Sequence, residues 1–155
     1  MDDRKGGRAA ALLRFASALL VTIWAGSLWT VCLIAAPSAF AVLPERRLAG
    51  LVVARLFHIE TWLGAIVAVL LIAVLAAGKS IGALERTGKW AYAFILVTAA
   101  MPLISQLVVV PLMDQARAAN DMAQFGRLHG VSAVLFFTAC LSALGLVWKV
   151  SRRAG

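Results

Sequence analysis

The groups in this chain that could do chemistry are few and sit inside apolar surroundings. The stretch Ala54-Arg55-Leu56-Phe57-His58-Ile59-Glu60-Thr61-Trp62 brings three ionisable side chains up to the apolar run 63–77. Charged groups at membrane depth are costly unless paired, hydrated or functional. Arg127-Leu128-His129-Gly130-Val131-Ser132 opens the last apolar run, and Gln106 lies within the third. His58 stands nineteen residues before Ala77 and His129 nineteen before Trp148, so an equal rise per residue predicts equal depth for the two imidazoles.

Residues three, four and seven apart share a helix face. Arg55, His58, Thr61, Trp62, Ala65 and Val69 then make one stripe, and His129, Ser132, Ala133, Phe136, Cys140 and Ala143 make another. Both stripes are expected to face the interior of a helical bundle, the second because its small residues allow close approach. Glu60 falls on another side and is expected to meet water, a partner helix or headgroups.

Three chemistries fit these groups. The first is an outward-facing polar pocket lined by Arg55, His58, Gln106, Arg127, His129 and Ser132. Its rival is a network that only satisfies helix ends at the interface, with Arg side chains reaching phosphate. The second uses His58 and His129 as axial ligands of a haem b or as two ligands of a metal ion, although no Cys, Met or carboxylate completes an obvious metal shell. The third is a proton relay through the histidines and Glu60. No nucleophile elbow occurs, and Gly78-Lys79-Ser80 lacks the spacing of a phosphate loop. No enzyme activity, catalytic residue or resident metal is expected.

The elements that must position these groups are membrane helices. The chain is 63% hydrophobic and 14% charged, with a mean hydropathy of +0.92, far from the soluble average. Each span needs about 20 apolar residues and must satisfy its backbone internally as a helix. Apolar runs separated by polar turns predict one domain, 1–155, with helices at about 10–36, 48–77, 89–112 and 120–149: an all-α, integral membrane four-helix bundle. Pro37 is read as the end of the first helix, and Pro102 and Pro111 as sites of kinks in the third. The first run exceeds the roughly 7–15 residues of a signal-peptide core, so it is kept as a permanent helix.

The formal net charge of +8 does not point to nucleic acid, because Lys and Arg sit in tails and short turns without a basic face. It points to topology. With the N-terminus inside, ten Lys and Arg lie on the inner side and five on the outer, so both termini are expected in the cytoplasm of a bacterial inner membrane. Trp90 and Trp148 then fall at the inner interface. Cys32 and Cys140 are read as small packing residues rather than a disulfide.

Leu28-Trp29, Ala36-Pro37-Ser38-Ala39-Phe40, Leu43-Pro44, Ala49-Gly50 and Arg55-Leu56-Phe57 form one recognisable set, and Phe125-Gly126-Arg127-Leu128-His129-Gly130-Val131-Ser132 forms another. Through them the chain, from about Arg14 to Trp148, resembles a bacterial membrane domain of unknown function related to eukaryotic transmembrane protein 205. The resemblance implies a four-helix integral membrane protein without established catalysis. Its eukaryotic relatives are associated with resistance to platinum drugs, which implies handling of metal complexes or vesicle traffic. The matching positions are Pro37, Phe40, Arg55, Phe57, His129, Gly130 and Ser132, whereas His58 comes from the residue reading alone. A soft-metal exporter is disfavoured because Cys32 and Cys140 fall at different expected depths and the four Met residues form no membrane stripe.

The function expected is a non-enzymatic small-molecule or ion binding, transport or resistance component with a polar site in its outer half. Alternatives are a haem- or metal-binding redox protein using His58 and His129, and a structural subunit of a larger membrane complex. The bilayer is the expected partner, with a homo-oligomer or a second membrane protein as further possibilities.

Overall fold

A computed structural model describes residues 3–82 and 88–151. Arg86, Arg152 and Arg153, counted in the charge balance above, lie outside the described residues. Four helices are long and apolar enough to cross a membrane: α1 (Gly6–Val42), α2 (Arg46–Ser80), α3 (Lys89–Ala118) and α4 (Met122–Ser151). Among the described residues there is no strand. The protein is an all-α, multi-pass membrane four-helix bundle.

Neighbours in sequence are neighbours in space. α1 packs on α2 and α4, and α3 packs on α2 and α4, the closed up-and-down arrangement that short connections favour. Trp24, Leu28, Leu71, Leu75, Ile95 and Leu146 are fully buried between the helices. The outer faces stay apolar and exposed, as at Leu12, Val69 and Val134, because lipid rather than water surrounds them.

Pro37, expected to end the first helix, does not end it. α1 passes Pro37 and runs to Val42, and α3 passes Pro111 and runs to Ala118. Each proline is preceded by one wide π turn, Val31–Ala35 and Ser105–Val109. There the Ala36 N–H bonds Val31 O and the Val110 N–H bonds Ser105 O. A proline ring clashes with the carbonyl four residues back, and widening the turn ahead of it removes the clash without ending the helix.

The α3–α4 turn is written in two residues. Asn120 takes the left-handed conformation (φ 58°), one that Asn tolerates better than most side chains. The Asp121 N–H then bonds Ala116 O at 2.9 Å and the Asn120 N–H bonds Arg117 O at 3.1 Å, closing α3 in a Schellman motif. Asp121 Oδ1 accepts the Gln124 N–H at 2.9 Å and so caps α4. Arg117 lies over the Phe125 ring, 4.7 Å from its centroid, and meets Asp114 at 3.8 Å.

Two glycines allow helices to touch. A Cβ on Gly64 of α2 would lie 2.8 Å from Trp24 Nε1, and one on Gly145 of α4 would lie 2.7 Å from the Phe94 ring. These contacts press α1 onto α2 and α3 onto α4.

Candidate functional site

The inward face of α2 is not the one that carries His58. Val53, Glu60, Thr61, Gly64, Val67, Ala68, Leu71, Leu75 and Gly78 are buried, whereas Arg55, Trp62 and Val69 are exposed and His58 and Ala65 are half-buried. Glu60, expected to meet water, a partner helix or headgroups, is only 4% exposed and meets the helix α1. Ser27 Oγ of α1 donates a hydrogen bond to Glu60 Oε1 at 2.8 Å. Among the described residues, no Lys, Arg or His forms an ion pair with this carboxyl group; the one ion pair is Arg117 with Asp114.

Cross-helix contacts set the level of Glu60. The Phe57 and Phe136 rings meet edge to face at 4.5 Å, which puts Glu60 level with Ala139 of the parallel helix α4. Ser142 Oγ donates to Phe94 O at 3.1 Å, and Ser105 and Ser132 share a hydrogen bond of 2.7 Å. These two contacts put Thr98 of α3 at the same level. Thr98 stands nine residues from Lys89 and Ala139 ten from Lys149, about 14 Å at 1.5 Å per residue. That is half of a hydrocarbon core of about 30 Å. Ser27, Glu60 and Thr98 therefore form a polar layer at mid-depth.

This layer carries unsatisfied polarity. Thr98 is fully buried, and its Oγ1 has no hydrogen-bond partner. Pro102, four residues on, has no N–H to offer the Thr98 carbonyl. The buried Trp29 Nε1 also lacks a partner, and the Trp29 ring stands against Phe137, with centroids 6.2 Å apart, within one turn of the same level. Buried polar atoms without partners cost about 1–3 kcal/mol each.

The residues picked from the sequence spread over a wide range of depth. His58 is level with Phe137, eight residues inward of His129, about 12 Å at helical rise. Equal depth fails because α2 overshoots α4: the Phe57–Phe136 contact carries Ala77 past the level of Ser151, where the described part of α4 ends, so Ala77 and Trp148 are not a common datum. Each imidazole finds a ring on its own helix: His58 meets Trp62 at 6.4 Å, and His129 stacks on Phe125 at 6.2 Å. Arg127 and His129 are exposed, Gln106 is half-buried, and Ser132 is the member joined across helices, to Ser105. On α4 the inner part of the expected stripe is buried at Phe136, Cys140 and Ala143, while Ala133 is exposed. Among the described residues no three His, Cys, Asp or Glu side chains are grouped to hold a metal ion.

Cys140 is fully buried, and Cys32 is half-buried against the same core. The Trp29–Phe137 contact sets Cys32 level with Val134, six residues from Cys140. Cys32 belongs to the wide turn Val31–Ala35. Ser27 and Thr98 were not among the residues picked from sequence. One signal was present: Glu60 shares its face with Gly64, Ala68 and Gly78, small residues that mark a helix contact.

The sequence profile of a domain of unknown function, DUF4149, matches residues 19–122. The span includes Ser27, Cys32, Glu60 and Thr98 and ends before His129. No curated protein and no solved structure matches the chain.

Proposed function

Since the chain belongs to the DUF4149 family, whose function is unknown, we propose that it binds and passes a proton or small cation through the bundle at the Glu60 layer. This is a non-enzymatic binding or transport role. The observation that carries it is Glu60 itself: a carboxyl group at mid-depth, bonded by Ser27 and, among the described residues, without a cationic partner. An intramembrane carboxyl is costly and is commonly kept where ions or protons move. The partnerless Thr98 hydroxyl at the same level supports the reading, because it offers a second oxygen to a hydrated guest.

We read the protein as an inner-membrane component with both termini cytoplasmic, supported by the ten-to-five balance of Lys and Arg. A reporter fused after Gly155 should be active on the cytoplasmic side only. Kinship to eukaryotic transmembrane protein 205 rests on the two motif sets named above. The outer residues Arg55, His58, Gln106, Arg127, His129 and Ser132 serve in this reading as the approach from the outer face.

A lipophilic carbodiimide tests the central claim, since it seeks carboxyl groups in apolar surroundings. The expected result is one adduct, on Glu60, absent in Glu60→Gln. Proton flux into liposomes holding the full chain, read by an entrapped pH dye, should fall at least tenfold in that variant. Equal flux from both proteins together with an unlabelled Glu60 would sink the reading.

A further inference from the structure

Arg55 interrupts an otherwise apolar stripe. On the side of α2 away from the buried Val53, Glu60 and Gly64, the side chains of Leu48, Leu51, Ile59, Trp62 and Val69 are large, apolar and exposed, and Arg55 is exposed among them. Spacings of three, four and seven residues put all six on one face, turned to whatever surrounds the bundle. Arg55 stands five residues from Glu60 toward the start of α2, about 8 Å at 1.5 Å per residue. Since Glu60 lies at mid-depth, the Arg55 backbone is about 7 Å inside the nearer edge of a hydrocarbon core of about 30 Å. A guanidinium is always charged, and at this depth it is costly unless an anion meets it. Helical side chains lean toward the N-terminus of their own helix, and for α2 that is the end nearer Arg55. The apolar stem therefore runs along the stripe while the guanidinium rises to the polar edge.

We propose that Arg55 and the apolar stripe around it form a site for one phospholipid of the adjoining leaflet, an anionic lipid in preference to a zwitterionic one. Charge complementarity carries the choice of occupant. The guanidinium fork takes two oxygens of a phosphodiester side by side. Ile59 and Trp62, one and two turns deeper, offer the acyl chains an apolar wall. A headgroup without an ammonium leaves the phosphate charge to Arg55, whereas choline or ethanolamine groups compete for it. A second copy of the chain offers no such anion at this level. Among the described residues Glu60 is buried, Glu45 and Asp121 stand at the turns that open α2 and α4, Asp114 meets Arg117, and Asp3 opens α1 at the opposite end of the bundle. By direction Arg55 faces the bilayer, so its part in the outer approach is to hold lipid at the rim. The lipid site stands whether or not Glu60 passes ions.

The test exposes the full chain, in a mild detergent, to equal amounts of phosphatidylglycerol and phosphatidylcholine with identical tails, and reads the retained lipid by native mass spectrometry. The expected result is one phospholipid held per chain, with phosphatidylglycerol favoured about fivefold, the fold-change that corresponds to about 1 kcal/mol per basic residue at an anionic surface. Arg55→Leu completes the apolar stripe, so it should fold, lose that preference and release most of the lipid. Arg55→Lys keeps the charge without the fork and should retain part of the preference. Arg46→Gln removes a charge from the same end of α2, nine residues and so half a turn away from Arg55, and should leave both quantities unchanged. No preference in the wild-type chain, a readout that needs no variant, would overturn the site. So would a preference equal in wild type and Arg55→Leu. Release of a second chain or a copurified protein by Arg55→Leu, with lipid retention unchanged, would show that a protein covers this face and would overturn the lipid as its occupant.

Discussion

Ser27 of α1 hands a hydrogen bond of 2.8 Å to Glu60 of α2, and this single contact ties the polar mid-layer to the packing of two helices. The same hydroxyl also reaches Trp24 O at 3.0 Å. Trp24 in turn lies against Gly64, so two turns of α1 hold one polar and one apolar contact with α2.

Ser27→Ala should therefore destabilise the bundle by about 0.5–2 kcal/mol, the range of interhelical hydrogen bonds in membranes. Ser27→Thr should retain most of that stability. Glu60→Leu should match or exceed wild type, because hydrocarbon of similar volume replaces a buried ionisable group. Thermal unfolding in one detergent ranks the three. A Glu60→Leu protein less stable than Ser27→Ala would show that the carboxyl is structural.

The glycine contacts predict an order. Gly64→Ala meets a fully buried indole and should cost about 1–3 kcal/mol by overpacking. Gly145→Ala meets Phe94, which is half-buried and has room to swing, so its cost should be smaller. Trp24→Phe should recover part of the loss in Gly64→Ala and none in Gly145→Ala. Melting temperatures of the five proteins decide this, and the reverse order would show that the Phe94 ring is the more rigid of the two.

Ser105 and Ser132 share a bond of 2.7 Å across α3 and α4. A double-mutant cycle with alanine at both positions should give a coupling of about 0.6 kcal/mol, and no more than about 1.7. Additive losses would mean that each hydroxyl bonds its own helix backbone equally well.

At the α3–α4 turn, Asn120→Gly should be neutral or stabilising, because glycine enters the left-handed region without strain. Asn120→Val should be harmful, since a β-branched residue is an outlier there. Asp121→Ala removes the cap on α4 and should cost about 1 kcal/mol. Hydrogen exchange at Gln124 reports that loss directly, as the amide that Asp121 holds.

The sequence by itself determined the four helices and their membrane character. An apolar run of span length has one way to satisfy its backbone in lipid, which is to coil on itself. Local spacing also determined the turn at Asn120 and Asp121, whose bonds reach no further than five residues. Even the inward face of α2 was legible, in the spacing of Glu60, Gly64, Ala68 and Gly78, although the ionisable stripe of Arg55 and His58 drew the reading away from it. The tertiary structure decided register. Relative depth between helices depends on where each one starts and how far it overshoots, quantities that no spacing within a single helix contains. Hence His58 and His129, equal by counting, stand eight residues apart in level. Ser27, Glu60 and Thr98, on three helices and unrelated in sequence, share one layer.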